Sequence, residues 1–258
     1  MEFEFYKYQG TGNDFVLIDN RQQQFPKNDT KQIAHLCDRK FGIGADGLIL
    51  LEDHDSVDFT MVYYNSDGQP SSMCGNGGRC IVHFARHLGV ITDAATFEAI
   101  DGMHSAQLDG DRVSLKMNDV DHITAGEGHV FLDTGSPHHV EMVTGLENYD
   151  VFAKGRHIRQ QIYGSAGSNV NFVEAAQGTS DFKVRTYERG VEDETLSCGT
   201  GVTAVALAMH FQQKTTENQV RLHTPGGELT VTYTPTNSGY TNIYLEGPAT
   251  QVFKGYWT

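Results

Sequence analysis

The feature of this sequence that most limits its fold is a long internal repeat. A strand-like run, FTMVYYN, ends at Asn65 and is followed after a turn by Cys74, in the motif CGNG, and a helical pattern. A second run, FKVRTYE, ends at Glu188 and is followed in the same way by Cys198, in the motif CGTG, and another helical pattern. The two cysteines are 124 residues apart (198 − 74) in a chain of 258 residues. A repeat of this length predicts the duplication of one α+β unit, with a cleft between the two copies.

Hydrophobic periodicity predicts similar elements in the two halves. After each cysteine motif, apolar residues recur at i, i+3, i+4 and i+7, which is the spacing of one buried helix face. A further helix is predicted over residues 30–41. Strands are predicted over residues 2–8, 15–19, 48–52 and 58–64 in the first half, and over residues 127–133, 139–143, 169–175, 182–187, 219–223, 228–233 and 242–246 in the second.

Charge and composition exclude some classes of partner. The net charge of −14 argues against nucleic acid, which requires a basic face. The sequence has no run of eighteen apolar residues, so we expect neither a membrane-spanning helix nor a membrane partner. The start, MEFEFYKYQG, alternates and is charged, which predicts a first strand and not a secretory leader. We therefore expect a cytoplasmic protein whose four cysteines are free thiols.

Each cysteine motif lies where a loop enters a helix, and that position suits both anion binding and thiol chemistry. The first turn of a helix offers N–H groups and the positive end of the helix dipole, so it can hold a carboxylate. Gly75 and Gly199 let the main chain approach a ligand closely. Asn76 and Thr200 can add side-chain donors or cap the helix. The same location lowers the pKa of a thiol from about 8.5 toward neutrality.

If both helix starts line one cleft, the chemistry they predict is a two-base reaction. One thiolate would remove the α-proton of a bound carboxylic acid while the opposite thiol delivers a proton to the other face, which inverts the stereocentre. N–H groups aimed at the carboxylate would stabilise the carbanion-like transition state. This scheme requires neither a metal nor another cofactor. Cys74 and Cys198 are the candidate pair, and Cys37 and Cys80 are interpreted as small buried apolar residues.

Five motifs together relate the chain to a known family. In chain order they read GTGNDFVLID, NSDGQPSSMCGNGGRC, GSPHHV, NVNFVE and YERGVEDETLSCGTG. They resemble the motifs of the diaminopimelate epimerase family. The resemblance implies an α+β fold of two pseudo-symmetric halves, each a barrel-like, mostly antiparallel sheet wrapped around a central helix. The expected halves are residues 1–117, which carry Cys74 and onto which residues 248–258 would pack, and residues 118–247, which carry Cys198.

The activity that the resemblance implies is cofactor-independent epimerisation. Members of the family interconvert L,L- and meso-diaminopimelate by a thiol and a thiolate, in the synthesis of lysine and peptidoglycan precursors. A homodimer is usual for them.

The resemblance also implies roles for individual residues. In the L,L direction Cys74 would donate a proton and Cys198 would accept one. His138 and Glu188 would tune a catalytic thiol. Arg189 fits a distal carboxylate through a bidentate contact, and Glu188 fits an ammonium group. The expected substrate-binding residues are Asn13, Asn65, Gly75, Asn76, Asn169, Glu188, Arg189, Gly199 and Thr200.

The chain departs from the family pattern at three places. Ser136 stands where the family usually has asparagine, so its side chain is shorter. The turn GVEDET, at residues 190–195, is one residue longer than the common GAGET. Gly47 stands where some members have glutamine, and it cannot supply a side-chain contact.

Two other functions fit the same residues. Another cofactor-independent racemase or isomerase of this fold would act on a different carboxylic acid, and a comparison of L,L-diaminopimelate with proline would separate the two. A thiol switch would join Cys74 and Cys198 in a reversible disulfide without turnover.

Two further patterns suggest sites that we do not adopt. GIGADG, at residues 42–47, fits a dinucleotide-binding motif in its letters, but it follows a predicted helix and precedes a strand, the reverse of the required order. His83 and His87 have the spacing of zinc ligands on a helix, but the glutamate of a zinc-protease helix is missing between them.

Overall fold

The computed structural model of this chain describes residues 2–258 except Gln177 and Thr179. The backbone divides into two compact units. One unit consists of Met1–Leu115 together with Gly247–Thr258, and the other is Lys116–Glu246. Within the described residues, no helix is both long enough and apolar enough to cross a membrane.

The first unit is a mostly antiparallel sheet with two helices. Its neighbouring strands run in the order β17, β1, β2, β3, β4, β5, β6, β7, where the β2–β3 and β4–β5 pairs are parallel and the others antiparallel. The elements are β1 (Phe3–Gly10), β2 (Asn13–Asp19), α1 (Thr30–Cys37), β3 (Gly47–Glu52), β4 (Phe59–Asn65), α2 (Gly75–His87), β5 (Ala94–Ala99), β6 (Gly102–Asp109), β7 (Arg112–Lys116) and β17 (Thr250–Trp257).

The second unit has the same plan. Its strands run in the order β8, β9, β10, β11, β12, β14, β15, β16, with β10–β11 and β12–β14 parallel and the other pairs antiparallel. The elements are β8 (Ile123–Ala125), β9 (His129–Asp133), β10 (Pro137–Met142), a short 3-10 helix (Leu146–Asn148), α3 (Val151–Gln161), β11 (Asn169–Ala175), β12 (Asp181–Glu188), β13 (Asp193–Thr195), α4 (Gly199–Phe211), β14 (Gln219–Thr224), β15 (Gly227–Pro235) and β16 (Tyr240–Pro248).

The two units match strand for strand. The parallel pairs fall at the same two places in each sheet. Helices α1 and α3 follow the third strand of each order, β2 and β10, and α2 and α4 each follow the strand before a cysteine motif. This agreement confirms the predicted α+β fold of two pseudo-symmetric halves. The additional short strand β13 pairs with β12 and distinguishes the second unit.

A buried helix packs against the strands of each sheet. Helix α2 packs against β1, β2, β3 and β6, and helix α4 packs against β9, β10, β11, β12, β14 and β15. The predicted apolar face of α2 is buried at Ile81, Phe84 and Ala85. In α4 every residue from 201 to 209 is buried, because its sequence is apolar on all sides and not only on one stripe.

Helix α1 is shorter than predicted. It ends at Cys37 instead of continuing to residue 41. The Asp38 carboxylate accepts hydrogen bonds from the backbone N–H groups of Lys40 and Phe41, at 2.7 and 2.8 Å. These bonds give the backbone an alternative to the helical pattern, so the chain turns there.

Several elements were not predicted from the sequence: β5, β6, β7, β8, β13, β17 and α3. Strand β5 buries Ala95, Phe97 and Ala99, and alanine gives little strand signal. Helix α3 is polar and contains Gly155, which weakens a helix prediction. A Cβ at Gly155 would overlap the Tyr187 side chain, so close packing requires glycine there.

Candidate active site

Cys74 occupies the N-cap position of α2. Its backbone is extended, with φ −97° and ψ 134°, and its carbonyl accepts the Gly78 N–H at 2.7 Å, which closes the first helical turn. The Cys74 thiol lies 3.6 Å from Asn13 Oδ1 and can donate to it. The cysteine is half-buried.

Asn13 is held in one orientation by its neighbours. The two-residue turn before it, Thr11 and Gly12, has positive φ at both positions, as in the tightest hairpins. Asn13 Nδ2 donates to the Asp46 carboxylate at 2.6 Å. A carboxylate can only accept, so Asn13 Oδ1 must be the atom that points to the thiol and to Asn76.

Asn76 is oriented by a buried arginine. Arg79 donates to Asn76 Oδ1 at 2.9 Å, to the Gly75 carbonyl at 3.1 Å and to Thr11 Oγ1 at 3.2 Å. A guanidinium only donates, so Asn76 Nδ2 is the group that donates to Asn13, at 3.3 Å. Arg79 is fully buried, and this desolvation lowers its pKa to about 10. Sequence reasoning missed Arg79, although an arginine one turn into an apolar helix face is a visible signal.

An ion-pair cluster anchors the start of β2. Lys7 and Arg39 contact Asp14 at 2.7 and 2.6 Å, and Arg39 also contacts Asp46 at 2.7 Å. Burial by itself would raise the pKa of Asp14, but the hydrogen bonds from Arg39 and Lys7 outweigh burial and lower it to about 2. The cluster therefore keeps Asp46 in place for Asn13.

Asn65 and Gly47 lie opposite each other at the ends of β4 and β3. Asn65 is exposed, and its N–H donates to the Gln69 carbonyl at 3.0 Å. A Cβ at Gly47 would lie 2.5 Å from the Tyr63 ring and 2.6 Å from the Tyr64 carbonyl. The Tyr63 ring thus lies where a side chain at position 47 would begin, which gives a physical reason for this departure from the family pattern.

Cys198 occupies the equivalent N-cap position of α4. Its backbone is extended, with φ −120° and ψ 113°, and its carbonyl accepts the Val202 N–H at 2.9 Å. Its Sγ lies 3.5 Å from Thr200 Oγ1. The side chain is more buried than that of Cys74, with 6% of the residue exposed.

Thr200 connects Cys198 to Ser136, in the turn before β10. Thr200 Oγ1 and Ser136 Oγ are 3.1 Å apart. Ser136 Oγ is also 3.0 Å from His138 Nε2 and accepts from Asn169 Nδ2 at 3.2 Å. The shorter side chain at position 136 is therefore engaged with three polar neighbours.

His138 is buried and neutral. Desolvation, together with the positive charge of Arg189, lowers the pKa of His138 to about 3. Its Nδ1 lies 3.1 Å from Asn171 Nδ2. Asn171 belongs to the motif NVNFVE, but sequence reasoning assigned it no role.

Glu188 is the last residue of β12, and Arg189 follows it. Glu188 accepts the Thr195 hydroxyl at 2.9 Å. The Arg189 N–H donates to Asn169 Oδ1 at 2.8 Å, and its guanidinium donates to the Ala166 carbonyl at 2.9 Å. Within the second unit, the structure therefore links five expected residues in one set of contacts through Ser136: His138, Asn169, Arg189, Cys198 and Thr200. In the first unit it groups Asn13, Gly75 and Asn76 at Cys74.

The residues of the two set-aside patterns have structural roles. The loop GIGADG connects α1 to β3 and supplies Asp46, and the Gly44 carbonyl in it accepts from Lys7. His83 and His87 pack their rings against Tyr8 and Tyr6 of β1.

Solved structures share this fold. A Bacillus anthracis phenazine biosynthesis protein of the PhzF family matches with a TM-score of 0.80 at 12% identity, over 100% of this chain and 99% of that one. A hydroxyproline epimerase from Agrobacterium vitis matches with a TM-score of 0.70 at 15% identity, over 99% of this chain and 91% of that one. The chain therefore has the fold that these proteins share. In this chain a cysteine lies at the start of each central helix.

Sequence comparison defines the family within that fold. The family model described as diaminopimelate epimerase matches residues 5–123 and 130–252. The diaminopimelate epimerase of Flavobacterium psychrophilum is 57% identical, over 96% of this chain and 98% of that protein. That of Chlorobaculum tepidum is 44% identical, over 95% and 98%. The chain belongs to the diaminopimelate epimerase family, and it is an isomerase of the epimerase class.

Proposed function

We propose that the protein interconverts L,L- and meso-diaminopimelate by a two-base mechanism. The observation that carries this proposal is the matched pair of helix starts, each with an extended cysteine at the N-cap and a glycine at the first helical position. Cys74 and Cys198 act on opposite faces of the α-carbon, one delivering a proton while the other removes one. We place the reaction in lysine and peptidoglycan precursor synthesis, as in the family.

Cys74 is the proton donor for the L,L substrate in this proposal. The thiol faces Asn13 Oδ1, whose identity as an oxygen follows from the Asn13–Asp46 contact. A hydrogen-bond acceptor stabilises a thiol relative to a thiolate. When the proton leaves, the positive charge of buried Arg79 acts favourably on the thiolate that remains.

The reacting carboxylate binds at the helix starts. Backbone N–H groups at Gly75 and Asn76, and at Gly199 and Thr200, belong to the first turns of α2 and α4. Such N–H groups and the helix dipole stabilise negative charge as it develops on the carboxylate in the transition state.

The distal head of the substrate is recognised by charge and by amides. Arg189 pairs with the second carboxylate and Glu188 with the second ammonium, while Asn65 and Asn169 supply hydrogen bonds. Arg189 and Glu188 are adjacent at the end of β12, and the backbone of Arg189 is tied to Asn169. A substrate without a charged distal head would lose both contacts.

A labelling experiment tests the activity directly. L,L-diaminopimelate is incubated with the protein in deuterated water, and products are followed by chiral chromatography and mass spectrometry. We expect meso-diaminopimelate that carries one deuterium at the inverted α-carbon. Proline and hydroxyproline serve as matched alternative substrates. Turnover of proline in place of diaminopimelate, or no exchange of the α-hydrogen, would reject the proposal.

We also propose that the active protein is a homodimer, as is usual in the family. Size-exclusion chromatography with light scattering should give twice the mass of the chain. The mass of a single chain at the concentration used for assays would contradict this.

A further inference from the structure

A chain of polar side chains runs through the second unit and ends at the sulfur of Cys198. Its members are Thr186, Asn171, His138, Ser136 and Thr200, and each contacts the next at 2.9 to 3.5 Å. Hydroxyl and imidazole groups can donate or accept, so the distances alone do not fix the direction of these bonds. Their remaining contacts fix it from Thr186 as far as Thr200.

Asn171 sets the direction at the buried end. Its Nδ2 lies 3.0 Å from the His139 carbonyl, which can only accept. The amide nitrogen therefore also faces His138 Nδ1, and it donates to that atom. Asn171 Oδ1, on the other side, accepts the Thr186 hydroxyl at 2.9 Å.

The tautomer of His138 fixes the direction of the next hydrogen bond. Because Nδ1 accepts and the ring is neutral at ordinary pH, the ring proton is on Nε2. Nε2–H then donates to Ser136 Oγ at 3.0 Å. The fold thus selects one tautomer of His138.

Ser136 accepts two hydrogen bonds and donates one. It accepts from His138 and also from Asn169, whose amide is oriented by the Arg189 N–H bound to its Oδ1. With both acceptor positions of Oγ occupied, the Ser136 hydroxyl donates to Thr200 Oγ1. The Thr200 hydroxyl then keeps its own proton, and it can donate that proton to a Cys198 thiolate, whose Sγ lies 3.5 Å away.

We propose that Ser136 is a positioning residue that turns the Thr200 hydroxyl toward Cys198, so that the sulfur accepts a hydrogen bond and is favoured as the thiolate base. This inference deepens the proposed function, on which it rests for the role of Cys198 as a base. Ser136, at a position where the chain departs from the family pattern, thus acts through Thr200 on the sulfur of the base.

The charged and titratable groups around this series of hydrogen bonds do not take part in it. Asp133 accepts the Gly135 N–H, and Glu188 accepts the Thr195 hydroxyl. His139 directs its ring to Tyr163 and Glu141. Arg189 acts on His138 by its positive charge, which supports the neutral ring that the chain requires.

The test measures the thiol pKa of Cys198 in the full-length protein. Alkylation by iodoacetamide is followed across pH, and the peptide that contains Cys198 is quantified by mass spectrometry. Ser136→Ala removes the hydroxyl, and Ser136→Thr keeps it. Because a hydrogen bond to the charged form lowers a pKa, we expect S136A to raise the Cys198 pKa by about one unit. At a pH below both values this slows alkylation about tenfold.

Two controls separate this from a structural effect. Ser136→Thr should leave the Cys198 pKa close to that of the wild type, and the pKa of Cys74 should not change in either variant. Circular dichroism confirms the fold. An unchanged or lowered Cys198 pKa in S136A, or an equal increase in S136T, would overturn the proposal. Thiol alkylation requires no turnover, so a wild-type protein without epimerase activity would reject the proposed function and leave this measurement interpretable.

Discussion

The starts of α2 and α4 have the same backbone and different polar chemistry. Asn13 and Ser136 lie at equivalent positions, two residues before Phe15 and His138, which pair with the first residues of β3 and β11. Asn13 reaches the thiol of Cys74 directly and offers it an oxygen. Ser136 is shorter and reaches Thr200 instead. One sulfur therefore meets an acceptor, and in our proposal the other meets a donor.

The second turns of the two helices differ in charge. Arg79 and Thr203 are each the fifth residue of their helix, and both are fully buried. Arg79 carries a positive charge that orients Asn76. Among the contacts of the described residues, Thr203 donates only to the Gly199 carbonyl, one turn earlier in the same helix, at 2.9 Å. The two cysteines thus have the same backbone position and different polar neighbours, and in the proposed mechanism this difference suits them to opposite roles.

The largest expected effect comes from removing either sulfur. Cys74→Ala and Cys198→Ala should each lower the rate of epimerisation by about 10²-fold to 10⁴-fold, because each removes one acid–base group. The rate is measured from L,L-diaminopimelate to the meso product. Circular dichroism should show an intact fold. If one variant kept the wild-type rate, the two helix starts would not be partners in one reaction.

A stability comparison sharpens the difference between Arg79 and Thr203. Arg79→Met leaves Asn76 Oδ1, the Gly75 carbonyl and Thr11 Oγ1 without their common donor, so the free energy of unfolding should fall by about 3 kcal/mol. Thr203→Val removes one hydrogen bond and should lower it by about 1 kcal/mol. Urea denaturation measures both. An equal loss of unfolding free energy in the two variants would show that the first unit does not depend on its buried arginine more than the second unit depends on Thr203.

The third residues of α2 and α4 provide a matched pair of glycines. A Cβ at Gly201 would lie 2.5 Å from Asn171 Oδ1, whereas one at Gly77 would lie 3.1 Å from the flexible end of Ile49. Gly201→Ala should therefore lower the free energy of unfolding by about 1–3 kcal/mol. Gly77→Ala should stay within about 1 kcal/mol of the wild type, because higher helix propensity offsets the contact. The reverse order in thermal denaturation would contradict the role of Asn171.

The smallest effect is a pH dependence that comes from the second unit. Burial lowers the pKa of His138 to about 3 and that of His139 to about 4. The unfolded chain takes up protons at an ordinary histidine pKa of about 6.5, while the folded chain does not, so stability falls as pH drops below that value. His138→Gln should flatten the stability profile between about pH 7 and pH 5. The same slope in both proteins would mean that His138 is not held neutral by the fold.

Much of this architecture could be predicted from the sequence. The repeat of strand, cysteine motif and helix predicted two similar units, because a period of 124 residues (198 − 74) is long enough for a whole α+β unit. The apolar spacing predicted the buried face of α2. The strands β5 to β7 were missed because they are rich in alanine and polar residues. Helix α3 was missed because it contains Gly155, which is required there by close packing against Tyr187, a residue distant in sequence.

The polar connections of the candidate site could not be predicted in the same way. Family motifs identified His138 and Asn169, but the direction of a hydrogen bond depends on contacts made across strands. Asn13 is oriented by Asp46 and Asn171 by the His139 carbonyl, at separations of 33 and 32 residues. No local pattern encodes such pairs. Arg79 was missed because its role follows from burial, which a helical pattern alone does not give.

The most direct test of this account is the order in which the thiols of Cys74 and Cys198, the proposed acid–base pair, titrate in the wild-type protein. Iodoacetamide alkylation of Cys74 and Cys198 is followed across pH in one sample, with each peptide quantified separately by mass spectrometry. Asn13 offers an acceptor to Cys74 and Thr200 offers a donor to Cys198, so the account predicts the lower pKa at Cys198. A lower pKa at Cys74, which the positive charge of Arg79 would produce if it outweighed the contact with Asn13, would contradict it.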